Sequence, residues 1–124
     1  MSKPIIIAVD DQKVMCNLIA SMLSGTYDIH TFTEGKDALT YMSENPADLV
    51  LLDYDMPTMT GYEVLMGIRG DKKNSGIPVI FLTGVTNERM EMEMRDRGAN
   101  DYICKPIDFT VLRQRIDKHL KSRV

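Results

Sequence analysis

Short apolar runs and stretches of helical period take turns along this chain. Residues 4–9 (PIIIAV) are rich in isoleucine and valine and too few for a helix, so they predict a buried strand. Beyond Asp10 and Asp11 the period changes. Val14, Met15, Leu18, Ile19, Met22 and Leu23 fall on one face of a helix that Ser24 and Gly25 end. Residues 27–32 (YDIHTF) alternate weakly and predict a strand near a sheet edge. Residues 34–44 predict a helix with Ala38, Leu39 and Met42 inward, stopped at Asn45-Pro46. Residues 48–53 (DLVLLD) are the most apolar strand and are expected in the centre of the sheet. A short helix over 61–69 and a polar loop over 70–76 follow, then a fourth strand, 78–83 (PVIFLT). The segment 87–97 is built from Glu, Met and Arg, all strong helix formers, and Gly98 ends it. Residues 101–104 (DYIC) predict a fifth strand. Asp108 caps a last helix carrying Leu112, Ile116 and Leu120.

Five strands alternating with five helices imply a parallel sheet covered on both faces. Right-handed crossovers restrict its topology, and in such sheets ligands bind at the carboxyl ends of the strands. The last residue of each strand is therefore the place to look for chemistry. The first strand ends in Asp10-Asp11, the third in Asp53, the fourth in Thr83 and the fifth at Cys104-Lys105-Pro106. Only the second ends without a reactive group.

Composition narrows the reading without redirecting it. A chain of 124 residues, 44% hydrophobic and 27% charged, is long enough for one core and is expected to form a single domain, 1–124, with no effector domain. A net charge of −3 with scattered basic residues offers no nucleic-acid surface. No apolar run approaches the roughly 20 residues of a membrane span, and no signal peptide is visible. Cys16 and Cys104 both fall within apolar patterns. They are expected as buried free thiols in a reducing cytoplasm, with a Cys16–Cys104 disulfide or a redox role as the alternative.

Three clustered carboxylates repel one another, and a divalent cation relieves the repulsion. Oxygen-only ligands in a small site favour Mg²⁺. Lys105 adds a fixed positive charge and Thr83 a hydrogen-bond donor. A cation, an ammonium and a hydroxyl around one carboxylate make a receptor for a phosphoryl group, with Asp53 on the middle strand as its acceptor.

The acid pair Asp10-Asp11, the DYDMPTMTG element at 53–61, Thr83-Gly84 and Lys105-Pro106 give the chain, over its whole length, a resemblance to the receiver domain of bacterial two-component response regulators. The resemblance implies a flavodoxin-like doubly wound (βα)5 fold with strand order 2-1-3-4-5. It implies phosphorylation of Asp53, Mg²⁺ held directly by Asp11 and Asp53, Asp10 acting through water, and the backbone carbonyl of Asp55 completing the protein ligands. Lys105 would pair with the phosphoryl oxygens, Thr83 would move to bond one of them, and Tyr102 would swing inward as the switch aromatic. Lys105-Pro106 would be cis. The phosphoryl donor would be a phosphohistidine on a sensor histidine kinase or a histidine phosphotransfer protein. Output would run through residues 85–105 and the last helix, and a phosphorylation-dependent homodimer is compatible with this. Such a chain assists its own phosphorylation and hydrolysis and turns over no external product. Met90, Met92 and Met94 leave the 87–97 helix a thin core-facing stripe, so it is expected to be held loosely. His30 and His119 are isolated and take no phosphoryl role.

Two other functions fit parts of the pattern. DYD at 53–55 supplies the acids of the D-x-D-x-[TV] nucleophile motif of haloacid-dehalogenase-like phosphatases, but Pro57 occupies the fifth position and the motif sits on the third strand rather than the first. A docking domain that no longer accepts phosphate would not need the acid, threonine and lysine set. An FMN carrier is excluded by Asp10-Asp11, which would repel the cofactor phosphate where a hydroxyl-rich loop is required.

Overall fold

The computed structural model describes residues 3–84 and 87–121. Its elements are β1 (Ile5–Val9), α1 (Lys13–Leu23), β2 (Asp28–Phe32), α2 (Gly35–Glu44), β3 (Leu49–Asp53), α3 (Gly61–Gly70), β4 (Val79–Thr83), α4 (Glu88–Asp96), β5 (Asp101–Cys104) and α5 (Phe109–Lys121). All strand pairs are parallel, in the order β2-β1-β3-β4-β5. β3 is central, and every residue of β3 and β4 is buried, as their unbroken apolar runs require.

Strand alternation divides the core in two. Ile7, Val9, Val50, Leu52, Val79 and Phe81 pack under α2, α3 and α4, against Ala38, Met42, Val64, Leu65, Ile68 and Met94. Ile6, Ala8, Leu49, Leu51, Ile80, Leu82 and Ile103 pack under α1 and α5, against Ile19, Leu23, Leu112 and Ile116.

α1 buries a narrower stripe than its apolar pattern suggests. Cys16, Ile19 and Leu23 are buried and Met15 is half-buried, whereas Val14, Leu18 and Met22 face solvent, Val14 at 80% exposure. Six apolar positions span too wide an arc for one helix on a flat sheet, and the sheet covers only half of it. The α1 start lacks a side-chain cap. Gln12 is the N-cap and makes no side-chain cap bond, while Asp10 accepts the Gln12 N–H one residue earlier, at 2.9 Å. α3, in contrast, starts on a full capping box between Thr60 and Glu63.

Gly61 lets the β3–α3 loop close tightly. A Cβ there would lie 2.6 Å from the Asp53 carbonyl oxygen, 2.8 Å from Tyr54 Cα and 2.9 Å from the Phe81 ring. Two of these neighbours are backbone and cannot turn aside. Gly61→Ala is expected to cost about 1–3 kcal/mol in urea unfolding, the range for overpacking a well-filled site.

At the opposite end of the sheet, the Arg69 guanidinium ties several turns together. It donates to the carbonyls of Gly98 (2.7 Å) and Ile77 (2.6 Å) and to Asn100 Oδ1 (2.9 Å). Gly98 takes the left-handed conformation, φ 109°, that ends α4.

Candidate functional site

Strand register assembles the site. Asp10 continues the face that carries Ile6 and Ala8, Asp53 the face of Leu49 and Leu51, and Lys105 the face of Ile103. All three therefore rise from the α1/α5 side of adjacent or nearby strands. The Lys105 ammonium stands 3.3 Å from Asp10 Oδ2 and 3.3 Å from Asp53 Oδ1, bridging two acids that lie 43 residues apart in sequence but one strand apart in space. Asp10 and Asp53 are buried, at 0% and 3% exposure, and Asp11 is exposed beside them. Asp10, Asp11 and Asp53 each place a carboxylate oxygen within 4.8 Å of the others.

The electrostatics follow from this crowding. Burial, the Asp10 charge and a hydrogen bond with Asp11 push the Asp53 carboxyl up to about 6, and Lys105 only partly offsets them. Burial draws Lys105 down, but the charges of Asp53 and Asp10 outweigh it and hold the ammonium above its usual value. One lysine against three acids leaves the cluster short of positive charge. An all-oxygen donor set with two buried members fits a hard divalent cation such as Mg²⁺, which Asp10, Asp11 and Asp53 could hold.

Asp55 is exposed, and its N–H lies 3.3 Å from Asp53 Oδ1. With Asp11 it borders an open cleft of about 660 Å³ whose other walls include Tyr54, Met56, Pro57 and Tyr62.

Thr83 is fully buried at the end of β4. It lies on the opposite face from Asp53, that of Val79 and Phe81. Tyr102 shares this face: it pairs in register with Phe81 and is half-buried against the core beneath α4. Thr83 and Tyr102 are thus diagonal neighbours on one face, beside the acid cluster on the other. The Lys105-Pro106 bond is cis, and the Lys105 N–H donates to the Thr83 carbonyl at 2.7 Å. Val85 and Thr86, which open the expected output stretch, lie outside the described residues.

Three expectations need correction or extension. Cys16 is a buried free thiol as expected, but Cys104 is only half-buried, because β5 is an edge strand; neither is in a disulfide. Neither histidine is isolated: His30 Nε2 lies 3.2 Å from Asp28 Oδ1, and His119 faces Asp101. The His119 Nε2 lies 2.9 Å from Asp101 Oδ2, and Arg115, one turn before it on α5, holds Asp101 Oδ1 at 2.8 Å. Asp101 itself passes in the sequence for a strand's polar first residue, yet it is 3% exposed and central to a charged cluster. The only advance signal was the i, i+4 spacing of Arg115 and His119.

The description of the response regulator receiver domain matches residues 6–117. The "Probable cyclic di-GMP phosphodiesterase" of Vibrio cholerae is 38% identical over 99% of this chain, which spans only 28% of that protein. Chemotaxis protein CheY-3 of Vibrio cholerae is 30% identical over 91% of this chain and 88% of its own length. The structure of the Francisella response regulator 1452 receiver domain superposes with a TM-score of 0.90 at 27% identity, covering 98% of this chain and all of that one.

Proposed function

The chain belongs to the response regulator receiver domain family, a family of signalling switches, and from that membership we propose that Asp53 is its phosphoryl acceptor. The observation that carries the reading is the Lys105 ammonium 3.3 Å from both Asp10 and Asp53, with Asp11 completing the acid cluster. The donor is a phosphohistidine of a sensor histidine kinase or histidine phosphotransfer protein. An Asp53 carboxylate oxygen attacks phosphorus, the P–N bond breaks, and its electron pair leaves with the imidazole nitrogen.

Lys105 lies where it can pair with a phosphoryl oxygen and hold the donor in line. Asp10, Asp11 and Asp53 would hold Mg²⁺, with the Asp55 carbonyl as a further ligand, and such an ion would supply positive charge beside the transferring group. The added group brings about −1.5 to −2 charge to one strand tip. Thr83 then turns its hydroxyl toward a phosphoryl oxygen, and the space it leaves on the α4 side admits the Tyr102 ring. Output follows through α4, β5 and α5. The family match spans residues 6–117, the DYD element included, which favours the receiver reading over the phosphatase alternative.

The test is mass spectrometry after incubation with acetyl phosphate and Mg²⁺. The expected result is one added phosphoryl group, stable in acid and lost in base. No adduct, or an adduct on another residue, overturns the proposal. Thr83→Ala separates acceptance from propagation: it should still take up the group, while the NMR signals of the Tyr102 ring stay within about a tenth of the wild-type shift on activation.

A further inference from the structure

We propose that Glu91 is a positioning residue that latches Tyr102 to α4 in the resting chain, so that the switch must break this latch before the ring can move. The inference rests on the reading of Asp53 as phosphoryl acceptor and of Tyr102 as the responding aromatic.

The Tyr102 hydroxyl donates to Glu91 Oε2 at 2.6 Å. The other carboxylate oxygen, Oε1, faces Arg95 Nε at 3.5 Å, one turn along α4. Arg95 in turn lies 5.8 Å from the centre of the Tyr102 ring and 3.8 Å from Asp101 Oδ1. The backbone N–H of Tyr102 donates to that same Asp101 oxygen at 2.9 Å. The tyrosine is therefore held at its hydroxyl, along its ring and at its main chain by one connected set of charges.

Few apolar contacts hold α4. Among its described residues only Met94 is buried; Met90 is half-buried, and Met92 is 64% exposed. A phenol-to-carboxylate bond is charge-assisted and stronger than a neutral one. It is also directional. Rotating Tyr102 from one staggered χ1 well to another carries the hydroxyl several ångströms, out of reach of Glu91. Ring position and α4 position are thus one equilibrium, and Glu91 weights it toward the resting arrangement. A carboxylate one helical turn before an arginine reads in the sequence as an ordinary surface pair. Here it has a second partner on the neighbouring strand.

The test compares wild type, Glu91→Ala, Glu91→Gln, Tyr102→Phe and the Glu91→Ala/Tyr102→Phe double variant. The probes are beryllofluoride affinity with Mg²⁺ and the ¹³C-labelled tyrosine ring spectrum without either. Glu91→Ala and Tyr102→Phe should each bind beryllofluoride roughly three- to tenfold more tightly than wild type, with no further gain in the double variant. Glu91→Gln, which keeps an acceptor at the same reach, should fall between wild type and Glu91→Ala. In unliganded Glu91→Ala, the Tyr102 signals should move toward their activated positions.

A gain of the same size in the Tyr102→Phe background, or wild-type affinity with an unmoved ring signal, overturns the latch. So does a lowered melting temperature with neither change, since that marks a purely structural contact. Failure of wild type itself to bind beryllofluoride removes the acceptor reading instead, and the unliganded ring spectrum still decides whether Glu91 holds the tyrosine.

Discussion

Asp53→Asn takes up no phosphoryl group from acetyl phosphate under conditions that label the wild-type chain, and in the presence of a chelator it melts at a higher temperature than wild type. The first effect is chemical: an amide oxygen is too poor a nucleophile to form the acyl phosphate. Asp10 does not substitute for it. Asp10 is wholly buried, with one carboxylate oxygen taking the Gln12 N–H at 2.9 Å and the other facing Lys105 at 3.3 Å. The second effect is electrostatic. Asp53 and Asp10 are both buried and share a single ammonium, so removing one negative charge relieves repulsion that Lys105 only partly offsets. A gain of about 1–2 kcal/mol is expected, equivalent to several degrees for a chain of this size. Added Mg²⁺ should raise the melting temperature of wild type and narrow the difference. Mass spectrometry and calorimetry on the same samples check both halves. An asparagine variant that labels normally, or that is less stable without the cation, contradicts this account of the site.

Asp101→Asn should be the most destabilising single polar change, costing about 3 kcal/mol, or on the order of 10 °C in melting temperature. The carboxylate is 3% exposed and takes Arg115 at 2.8 Å and His119 at 2.9 Å, with Arg95 at 3.8 Å. An asparagine turns an NH₂ toward groups that are already donors and leaves the Arg115 charge uncompensated. Burial pushes the Asp101 carboxyl up, but the bonds from His119, the Tyr102 N–H and Arg115 outweigh it and hold it below the ordinary carboxylate range. A carboxyl depressed in the folded state stabilises the fold fully above its unfolded value, near 4. That stabilisation is lost as the pH falls through the lower folded value. The stability difference between wild type and Asp101→Asn should therefore be present at about pH 5 and shrink as the pH falls below about 4. Urea unfolding across that range measures it, and a difference that persists undiminished into strong acid contradicts the assignment.

The acid and lysine positions were legible because the path from sequence to site is short. Period-two alternation assigns each strand a face, and the strand's end sets the height, so Asp10, Asp53 and Lys105 are brought together by rules acting within each strand. The α1 surface was less legible for a related reason. Apolar spacing shows that Val14, Leu18 and Met22 form a stripe, but not which of two adjoining stripes the sheet covers; the buried side is that of Cys16, Ile19 and Leu23, the last two packed in one cluster with Ile6 and Ala8. The Asp101 cluster and the Glu91–Tyr102 bond were not legible. Their partners lie 11 to 18 residues apart on different elements, at separations that no single period encodes. Charged side chains on α4 and α5 look like a solvated face until β5 is placed between them.

The knot around Arg69 gives α4 a lever's geometry. The carboxyl end of the helix is moored, with Met94 sunk in the core and the turn at Gly98 gripped by the guanidinium. Its amino end, near the strand tips, is held by half-buried Met90 and by the Glu91 bond to Tyr102. A tilt of about 10° about the moored end sweeps the first turn of this nine-residue helix through roughly 2 Å while the far end scarcely stirs. A partner gripping the first turn would feel nearly all of the stroke, and one gripping the last turn almost none.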